Sequence, residues 1–272
     1  SNYSTIFVFG LIGNVRGLLM MEKTGKYSPS GVWVAEDFRS NLIIDRYDPV
    51  FADMRASKLK HLRSLNSEDA ITWNVFRSLR QVNPVHWLPK LWENAFPAVA
   101  LPGSLERTVV RLWESVAPPL GLLEGGDEGD SEIDVMIESS SWVWFIEAKY
   151  RSDISTGTKV RPDRDQILRN LDVGTHYAGV REFFFSLLID SVDRSRVGIQ
   201  KLEEYQNLDR VRGLLATHRA DGLKNLKSLG VLTWRQMGTV LHAASESATR
   251  EDEQLYASRA HAWMVDRRLV QE

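Results

Sequence analysis

Two carboxylates and one lysine in the middle of the chain are the residues whose types and spacing could do chemistry. Glu147 and Lys149 are separated only by Ala148. If they lie on a strand, both side chains leave the same face, with Cα atoms roughly 6.5 to 7 Å apart. Asp134 lies in the apolar segment that comes just before them, and it can project beside them from a neighbouring strand. The sequence therefore predicts a small acidic site that holds one ammonium group.

An acidic site of this kind calls for a cation. Two like charges about 4 Å apart repel by roughly 4 kcal/mol at an effective dielectric of about 20, and a single lysine cannot offset that fully. Carboxylate oxygens with positions left open for water suit Mg²⁺ or Mn²⁺, and nothing in the sequence indicates zinc. Bound metal ions and a nearby ammonium are what the hydrolysis of a phosphodiester bond requires, because they face the negative charge that develops on the phosphate.

The segments that carry these residues have the hydrophobic patterns of paired strands. Residues 133–138 alternate apolar and polar side chains, which predicts a strand with Asp134 on the face opposite Ile133. Residues 142–149 are apolar on both faces until their polar end, which is typical of a strand inside a sheet. That polar end should emerge at a sheet edge or cleft.

A helix is predicted at residues 67–80. Ser67 can cap its start, and apolar side chains recur every four residues along it. Glu68 lies three residues before Ile71, on the apolar stripe of this helix, so its carboxylate should point inward. An acidic residue in a first helical turn is also favoured by the helix dipole, which leaves a purely structural role open.

The remaining segments complete an α/β pattern. Further helices and strands are predicted as a helix from about residue 163, a buried strand at 183–189, a helix at 201–217, a short strand at 230–234 and a helix at 250–268. Residues 31–56 suggest short strands, one of them at 42–44, and the four prolines between 84 and 102 predict a loop with at most short helical turns. Residues 105–116 fit either a strand or a helix, and residues 124–130 predict a turn.

In chain order these residues resemble the motifs of the PD-(D/E)xK nucleases, the fold shared by many restriction and repair endonucleases. The matching residues are Glu68, Ile133-Asp134, Glu147-Ala148-Lys149 and Arg164-Asp165-Gln166. The resemblance covers about residues 64–190, half of the chain, and Ile133 stands where the motif name has proline. It implies an α/β, restriction-endonuclease-like mixed central sheet flanked by helices, and the segment patterns outside it add N-terminal strands and a helical C-terminal part. We therefore expect an N-terminal extension with short strands at 1–60, a nuclease core at 61–195 and a mostly helical part at 196–272 packed on the core.

The resemblance also implies a role for each matching residue near the strands. Asp134 and Glu147 would ligate Mg²⁺ or Mn²⁺, and the backbone carbonyl of Ala148 would be an extra ligand. Lys149 would orient or deprotonate the attacking water and steady the transition state. The activity implied is a metal-dependent endonuclease.

Two more residues take roles from the same resemblance. Glu68 would reach the metal directly or through water, and Gln166 would position the nucleophilic water or a phosphate. Gln166 could equally be an ordinary residue on the surface of a helix. The neighbouring basic residues could contact phosphates or could equally form a solvated face; they are Lys159, Arg161, Arg164 and Arg169.

Composition limits the alternatives. The chain has 272 residues and no cysteine, which excludes disulfides, thiolate zinc sites and cysteine nucleophiles, and which fits a cytoplasmic protein. The apolar run at 6–13 is too short for a membrane span and lacks the basic flank of a signal peptide, so no membrane partner is expected. The formal net charge of −2 gives no general attraction to polyphosphate, so binding of nucleic acid would depend on local basic patches and bound cations.

The expected partner is nucleic acid, and DNA is preferred to RNA on the family resemblance alone. Cutting both strands would favour a homodimer, although no sequence feature demands one. One alternative is a catalytically silent module with the nuclease fold that binds nucleic acid or protein. Another is a different hydrolase that uses the same acidic site.

Overall fold

The structure is a computed structural model, and it describes residues 24–103, 105, 107–119, 129–157, 161–215, 218–219 and 223–270. The apolar run at 6–13 and most of the turn predicted at 124–130 lie outside these residues. The chain divides into two compact units, Ser1–Ala70 and Ile71–Glu272. Among the described residues, no helix combines the length and the apolarity that crossing a bilayer requires.

The N-terminal unit contains a small antiparallel sheet of β1 (Gly25–Tyr27) and β2 (Trp33–Ala35), followed by the helices α1 (Val50–Asp53) and α2 (Ala56–Leu62). The strand predicted at 42–44 is wrong, because these described residues follow a 3-10 helix and take no place in a sheet. Their side chains are buried in the interior, and this burial accounts for the apolar pattern that resembled a strand. The side-chain amide of Asn41 donates hydrogen bonds of 2.8 Å to the carbonyls of Leu62 and Ser64, which fixes this path.

The helix predicted at 67–80 is confirmed as α3 (Glu68–Leu79). The hydroxyl of Ser67 accepts a hydrogen bond of 3.1 Å from the backbone N–H of Ala70, as the capping pattern predicts. The prolines after it do not exclude a second helix, because α4 spans Leu88–Ala95. Pro89 lies in its first turn, where the missing N–H would have no partner inside the helix. The prediction of a loop here was therefore too strict.

The C-terminal unit is built on a mixed sheet of five strands, as predicted for the centre of the fold. The strands lie in the order β3-β4-β5-β6-β7, which is also their order along the chain. Their bounds are Val109–Val116, Ser131–Glu138, Trp142–Ala148, Glu182–Ile189 and Leu226–Thr233. The pairs β3–β4 and β4–β5 are antiparallel, whereas β5–β6 and β6–β7 are parallel. Every residue of β5 is buried, as expected for a strand covered on both faces.

Helices cover the sheet and complete the unit. They are α5 (Gln166–Ala178), α6 (Arg196–Tyr205), α7 (Leu208–Leu215), α8 (Trp234–Ser247) and α9 (Glu251–Asp266). The single helix predicted at 201–217 is thus two helices, and the side chain of Asn207 accepts a hydrogen bond from the N–H of Arg210 where the second one starts. The predicted strand at 230–234 is longer and ends at Thr233, whose hydroxyl caps α8.

Aromatic side chains on alternate positions of β5 and β6 form the two faces of the core. On one face Phe145 lies edge-on to Phe183, with ring centroids 5.1 Å apart, under α5. On the other face Trp92 of α4 contacts Trp144 and Phe184. A Cβ on Gly174 of α5 would come within 2.1 Å of the Phe183 ring, so the absence of a side chain there lets α5 lie close to the sheet.

Candidate functional site

Asp134 and Glu147 lie on neighbouring strands and leave the sheet on the same side. The strands β4 and β5 are antiparallel, with Val135 opposite Ile146. The next residue on each strand continues this register, which places Asp134 across from Glu147. Residues that oppose each other in an antiparallel pair project from one face of the sheet. The structure therefore brings together the two carboxylates that the sequence singles out.

The Asp134 carboxylate also contacts the end of β5. Its Oδ2 atom accepts a hydrogen bond of 2.9 Å from the backbone N–H of Ala148. Within one strand residue, the backbone N–H and C=O groups point toward the same neighbouring strand. The next residue, Lys149, points the other way, because its N–H donates a hydrogen bond of 2.7 Å to the carbonyl of Leu188 on β6. The Ala148 carbonyl thus points to the side of Asp134, where a metal ligand is predicted.

Glu147 is only 2% exposed, and three side chains donate hydrogen bonds to it. Its Oε1 atom accepts from Lys149 Nζ at 2.7 Å and from Gln166 Nε2 at 2.5 Å. Its Oε2 atom accepts from Asn170 Nδ2 at 2.8 Å. A buried carboxylate costs several kcal/mol unless protein donors replace its water. These three donors supply that replacement.

The backbone of Lys149 is held from two sides, so its ammonium starts from a fixed point. Its N–H is bonded to β6, and its carbonyl accepts a hydrogen bond of 3.0 Å from the indole N–H of Trp234, at the start of α8. The lysine side chain is itself buried against Glu147. Because the backbone is fixed in this way, the Lys149 ammonium lies beside the Glu147 carboxylate without any rearrangement of the chain.

Gln166 is the first residue of α5, three residues later than the predicted start of this helix. Asp165 caps the helix and accepts a hydrogen bond of 2.9 Å from the N–H of Leu168. The Gln166 backbone N–H donates to the Ser155 carbonyl at 2.9 Å, and the Gln166 side-chain oxygen accepts from the Ser155 N–H at 3.2 Å. Because its oxygen is bound in this way, the amide nitrogen faces Glu147.

Tyr205 of α6 supports the cap of α5 from behind. Its hydroxyl donates a hydrogen bond of 2.5 Å to Asp165 Oδ2, and both side chains are buried. Burial and the hydrogen bond to Asp165 raise the pKa of Tyr205 far above its usual value. The phenol therefore stays protonated and keeps its role as a donor.

The sequence did not indicate three residues that position the site, Asn170, Tyr205 and Trp234, and it placed Asp165 in a motif without indicating its capping role. Asn170 could have been found, since it follows Gln166 by four residues and therefore lies on the same face of a helix. Tyr205 and Trp234 are far away along the chain, and no local pattern connects them with the acidic residues.

Glu68 lies in the first turn of α3, where it is partly buried. It belongs to the N-terminal unit. Its assignment as a metal ligand or catalytic group stays a prediction.

A second charged cluster is buried next to the site, around Asp172 of α5. Its carboxylate accepts hydrogen bonds from Arg164 at 2.8 Å and from Arg219 at 2.8 Å, and it lies 2.7 Å from the His218 ring nitrogen. Burial pushes the pKa of Asp172 upward, but the hydrogen bonds from these three side chains outweigh it and hold the pKa below its usual value. Arg164 is thus committed to a buried ion pair, which leaves it no role as a contact for phosphate.

The donor set around Asp134 fits a hard divalent cation. Within the described part of the chain, no three or more His, Cys, Asp or Glu side chains come close enough together to hold a metal ion. Mg²⁺ in proteins, however, is often bound through one or two carboxylates and keeps several waters. Asp134, Glu147 and the Ala148 carbonyl offer two carboxylates and one carbonyl where β4 and β5 lie side by side, which meets that requirement.

Comparisons with known proteins add no relative. No family model matches the chain, and it matches neither a curated protein nor a solved structure. The resemblance to PD-(D/E)xK nucleases thus continues to rest on the motif residues.

Proposed function

We propose that this chain is a metal-dependent endonuclease that hydrolyses phosphodiester bonds in DNA, with a core of the restriction-endonuclease-like, PD-(D/E)xK type. One observation carries the proposal. Asp134 and Glu147 project from the same face of two adjacent strands, and the Lys149 ammonium lies 2.7 Å from a Glu147 oxygen. The preference for DNA over RNA rests on the family resemblance.

Each residue of the site has a distinct task in this proposal. Asp134, Glu147 and the carbonyl of Ala148 would hold Mg²⁺ or Mn²⁺. The ion would supply Lewis-acid chemistry, which makes a phosphate more electrophilic and a bound water more acidic. The strands β4 and β5 hold the two carboxylates in place before a ligand arrives. The two side chains would therefore not have to reorganise during the reaction.

Lys149 and Gln166 place their N–H donors beside Glu147, where the reacting groups would lie. The ammonium of Lys149 and the side-chain amide of Gln166 both donate to Glu147 Oε1. In this proposal the two side chains would hold the attacking water or a phosphate oxygen, and the lysine charge would face the negative charge that develops on the phosphate.

The proposal is tested by the variant Asp134→Asn. An asparagine oxygen can still accept the hydrogen bond from the Ala148 N–H, so the fold should survive while one negative ligand is lost. Metal ions supply several kcal/mol of transition-state stabilisation, and we therefore expect Mg²⁺-dependent cleavage of plasmid and single-stranded DNA to fall by roughly a thousandfold. The thermal unfolding midpoint should stay close to that of the wild type.

A second variant and a chelator complete the experiment. Lys149→Ala should lower cleavage by roughly a hundredfold to a thousandfold, as the loss of a preorganised donor does in other enzymes. EDTA should abolish wild-type cleavage. A wild-type protein that binds DNA but leaves every substrate intact with Mg²⁺ or Mn²⁺ would instead show a binding module, and the proposed activity would be wrong.

A further inference from the structure

Arg151 lies two residues beyond Lys149 in a backbone conformation that normally favours glycine. Its φ angle is 57°, in the left-handed region. A residue with a Cβ adopts this region at a cost that glycine avoids. Such residues concentrate at functional sites, where the surrounding structure holds them in place.

The turn at Arg151 is imposed by fixed points on both sides. Before it, the backbone of Lys149 is bonded to β6 and to the Trp234 indole. After it, the Ser152 carbonyl accepts a hydrogen bond from the Ser195 hydroxyl, and the Asp153 carboxylate accepts two from the first turn of α6. The chain must reverse between these points, and glycine would do so at the lowest cost.

The side chain that stands there instead is a cation available to a ligand. Arg151 is exposed, and its guanidinium carbon lies 5.3 Å from the centroid of the Tyr150 ring. Among the residues that the structure describes, no carboxylate forms an ion pair with it, whereas the exposed arginines at 194 and 196 each pair with an aspartate. The stacking on Tyr150 orients the guanidinium without neutralising it.

We propose that Arg151 binds a backbone phosphate of the DNA strand that enters the site, next to the phosphate that is cut. This inference rests on the proposed nuclease function. The chain carries a formal net charge of −2, and the site itself holds two carboxylates, so a strand needs a local cation to approach it. A guanidinium suits a phosphate because its planar N–H groups can donate two parallel hydrogen bonds.

The test measures the binding of fluorescein-labelled DNA by the full chain in EDTA, where no strand is cut. The variant Arg151→Gly should raise Kd and should lower the slope of log Kd against log salt concentration by about 0.9, the contribution of one phosphate contact. The ratio of the variant and wild-type Kd values should accordingly shrink about 3- to 4-fold between about 50 mM and about 200 mM salt. Its unfolding midpoint should not fall, since glycine suits this φ angle.

The chain contains a matched control. Arg107 also has a left-handed φ angle, of 67°, but it precedes β3 at the Glu138 end of the sheet, opposite to the end that carries Asp134. Arg107→Gly should leave both Kd and the salt slope unchanged. If Arg151→Gly unfolds, Arg151→Gln and Arg151→Lys replace it. Only the glutamine variant should show the lowered slope of log Kd against log salt concentration, because lysine keeps the positive charge.

The outcomes separate this inference from the proposed function. The phosphate contact is wrong if Arg151→Gly keeps the wild-type slope of log Kd against log salt concentration, or if the glutamine and lysine variants have equal slopes. This holds even if the wild type cleaves DNA with Mg²⁺. A lowered slope in a protein that cleaves nothing would retain the contact and reject the nuclease.

Discussion

Glu147 is surrounded by donors, although it lies almost completely inside the protein. Lys149 and Gln166 share one of its oxygens, and Asn170 holds the other. Asn170 therefore restrains the rotation of the Glu147 carboxylate. This is the kind of outer contact that tunes the affinity of a metal ligand.

We expect Asn170→Ala to weaken the apparent affinity for Mg²⁺ by about 10- to 100-fold, because the unsupported carboxylate can rotate away from the ion. At saturating Mg²⁺ the kcat should return close to that of the wild type. The measurement is the Mg²⁺ dependence of DNA cleavage. Asn225→Ala is the control, since Asn225 donates hydrogen bonds to carbonyls at the other end of α5 and should not change the Mg²⁺ midpoint.

If both variants need the same raised Mg²⁺ concentration for half-maximal cleavage, the two asparagines act only through stability. If Asn170→Ala reaches half-maximal cleavage at the wild-type Mg²⁺ concentration, Asn170 does not support the metal ligand.

The acidic pair itself could be predicted from the sequence because its evidence is local. The alternation at 133–138 and the short turn after it already place Asp134 and Glu147 on one side of a hairpin. The hydrogen bond from the Ala148 N–H to Asp134 could not be predicted, since it depends on the rotamer of the aspartate and on where β5 leaves the ladder.

At the scale of elements, the start of α5 determines where Gln166 and Asn170 lie. Asp165 caps the helix, and Tyr205 of α6 holds Asp165. The sequence predicts this helix but starts it near residue 163, because Pro162 and Asp163 look like a beginning. The true start is fixed by Tyr205, which is 40 residues away from Asp165, and single-sequence patterns do not contain such contacts.

We expect Tyr205→Phe to lower the free energy of unfolding by about 1.5 to 3 kcal/mol, the usual contribution of a hydrogen bond to a charged group. It should also lower kcat by roughly tenfold to a hundredfold, because a small displacement of Gln166 and Asn170 disturbs the reacting geometry. Urea unfolding and cleavage rates measure the two effects.

Tyr177→Phe is the matched control, because the Tyr177 hydroxyl donates to Glu138 at the far end of β4. It should lower stability while kcat stays constant. A Tyr205→Phe variant that loses stability and keeps its full kcat would contradict the role given to the α5 cap.

The other differences between sequence and structure also arise from context beyond the local pattern. Prolines in a first helical turn are compatible with α4, although their number suggests a loop. The apolar residues at 42–44 resemble a strand, yet hydrogen bonds from Asn41 direct them into the interior. Burial and strand pairing favour the same residue types, so periodicity over three residues cannot separate them.

At the scale of the whole C-terminal unit, the buried cluster of Asp172 ties three parts of the chain together. Arg164 precedes α5, Asp172 lies within it, and His218 and Arg219 come after α7. One carboxylate is the common partner of the two arginines and the histidine. Removing a single member of a buried ion cluster is strongly destabilising, because the remaining charges stay buried without compensation.

We expect Asp172→Asn to lower the free energy of unfolding at neutral pH by about 3 to 5 kcal/mol. The pKa of Asp172 is lowered in the folded state, so the stabilisation by its ionised form is complete above the unfolded pKa of about 4 and is lost as the pH falls through the folded pKa. The difference between wild type and variant should consequently shrink in acid. Urea unfolding from neutral pH down to about pH 3 measures it, and a difference that grows in acid would contradict this assignment.

The most direct test of the acidic site is the binding of Mn²⁺ in the absence of DNA, followed by electron paramagnetic resonance. We expect the wild type to bind Mn²⁺ in competition with Mg²⁺. Asp134→Asn should lose at least about tenfold in affinity, the lower end of what second-shell changes alone cause. Glu138→Gln changes a carboxylate at the other end of β4, where Arg111 and Arg181 pair with it, and should bind as the wild type does. A wild type that binds no Mn²⁺, or an Asp134→Asn variant that binds it equally well, would show that Asp134 and Glu147 do not share an ion.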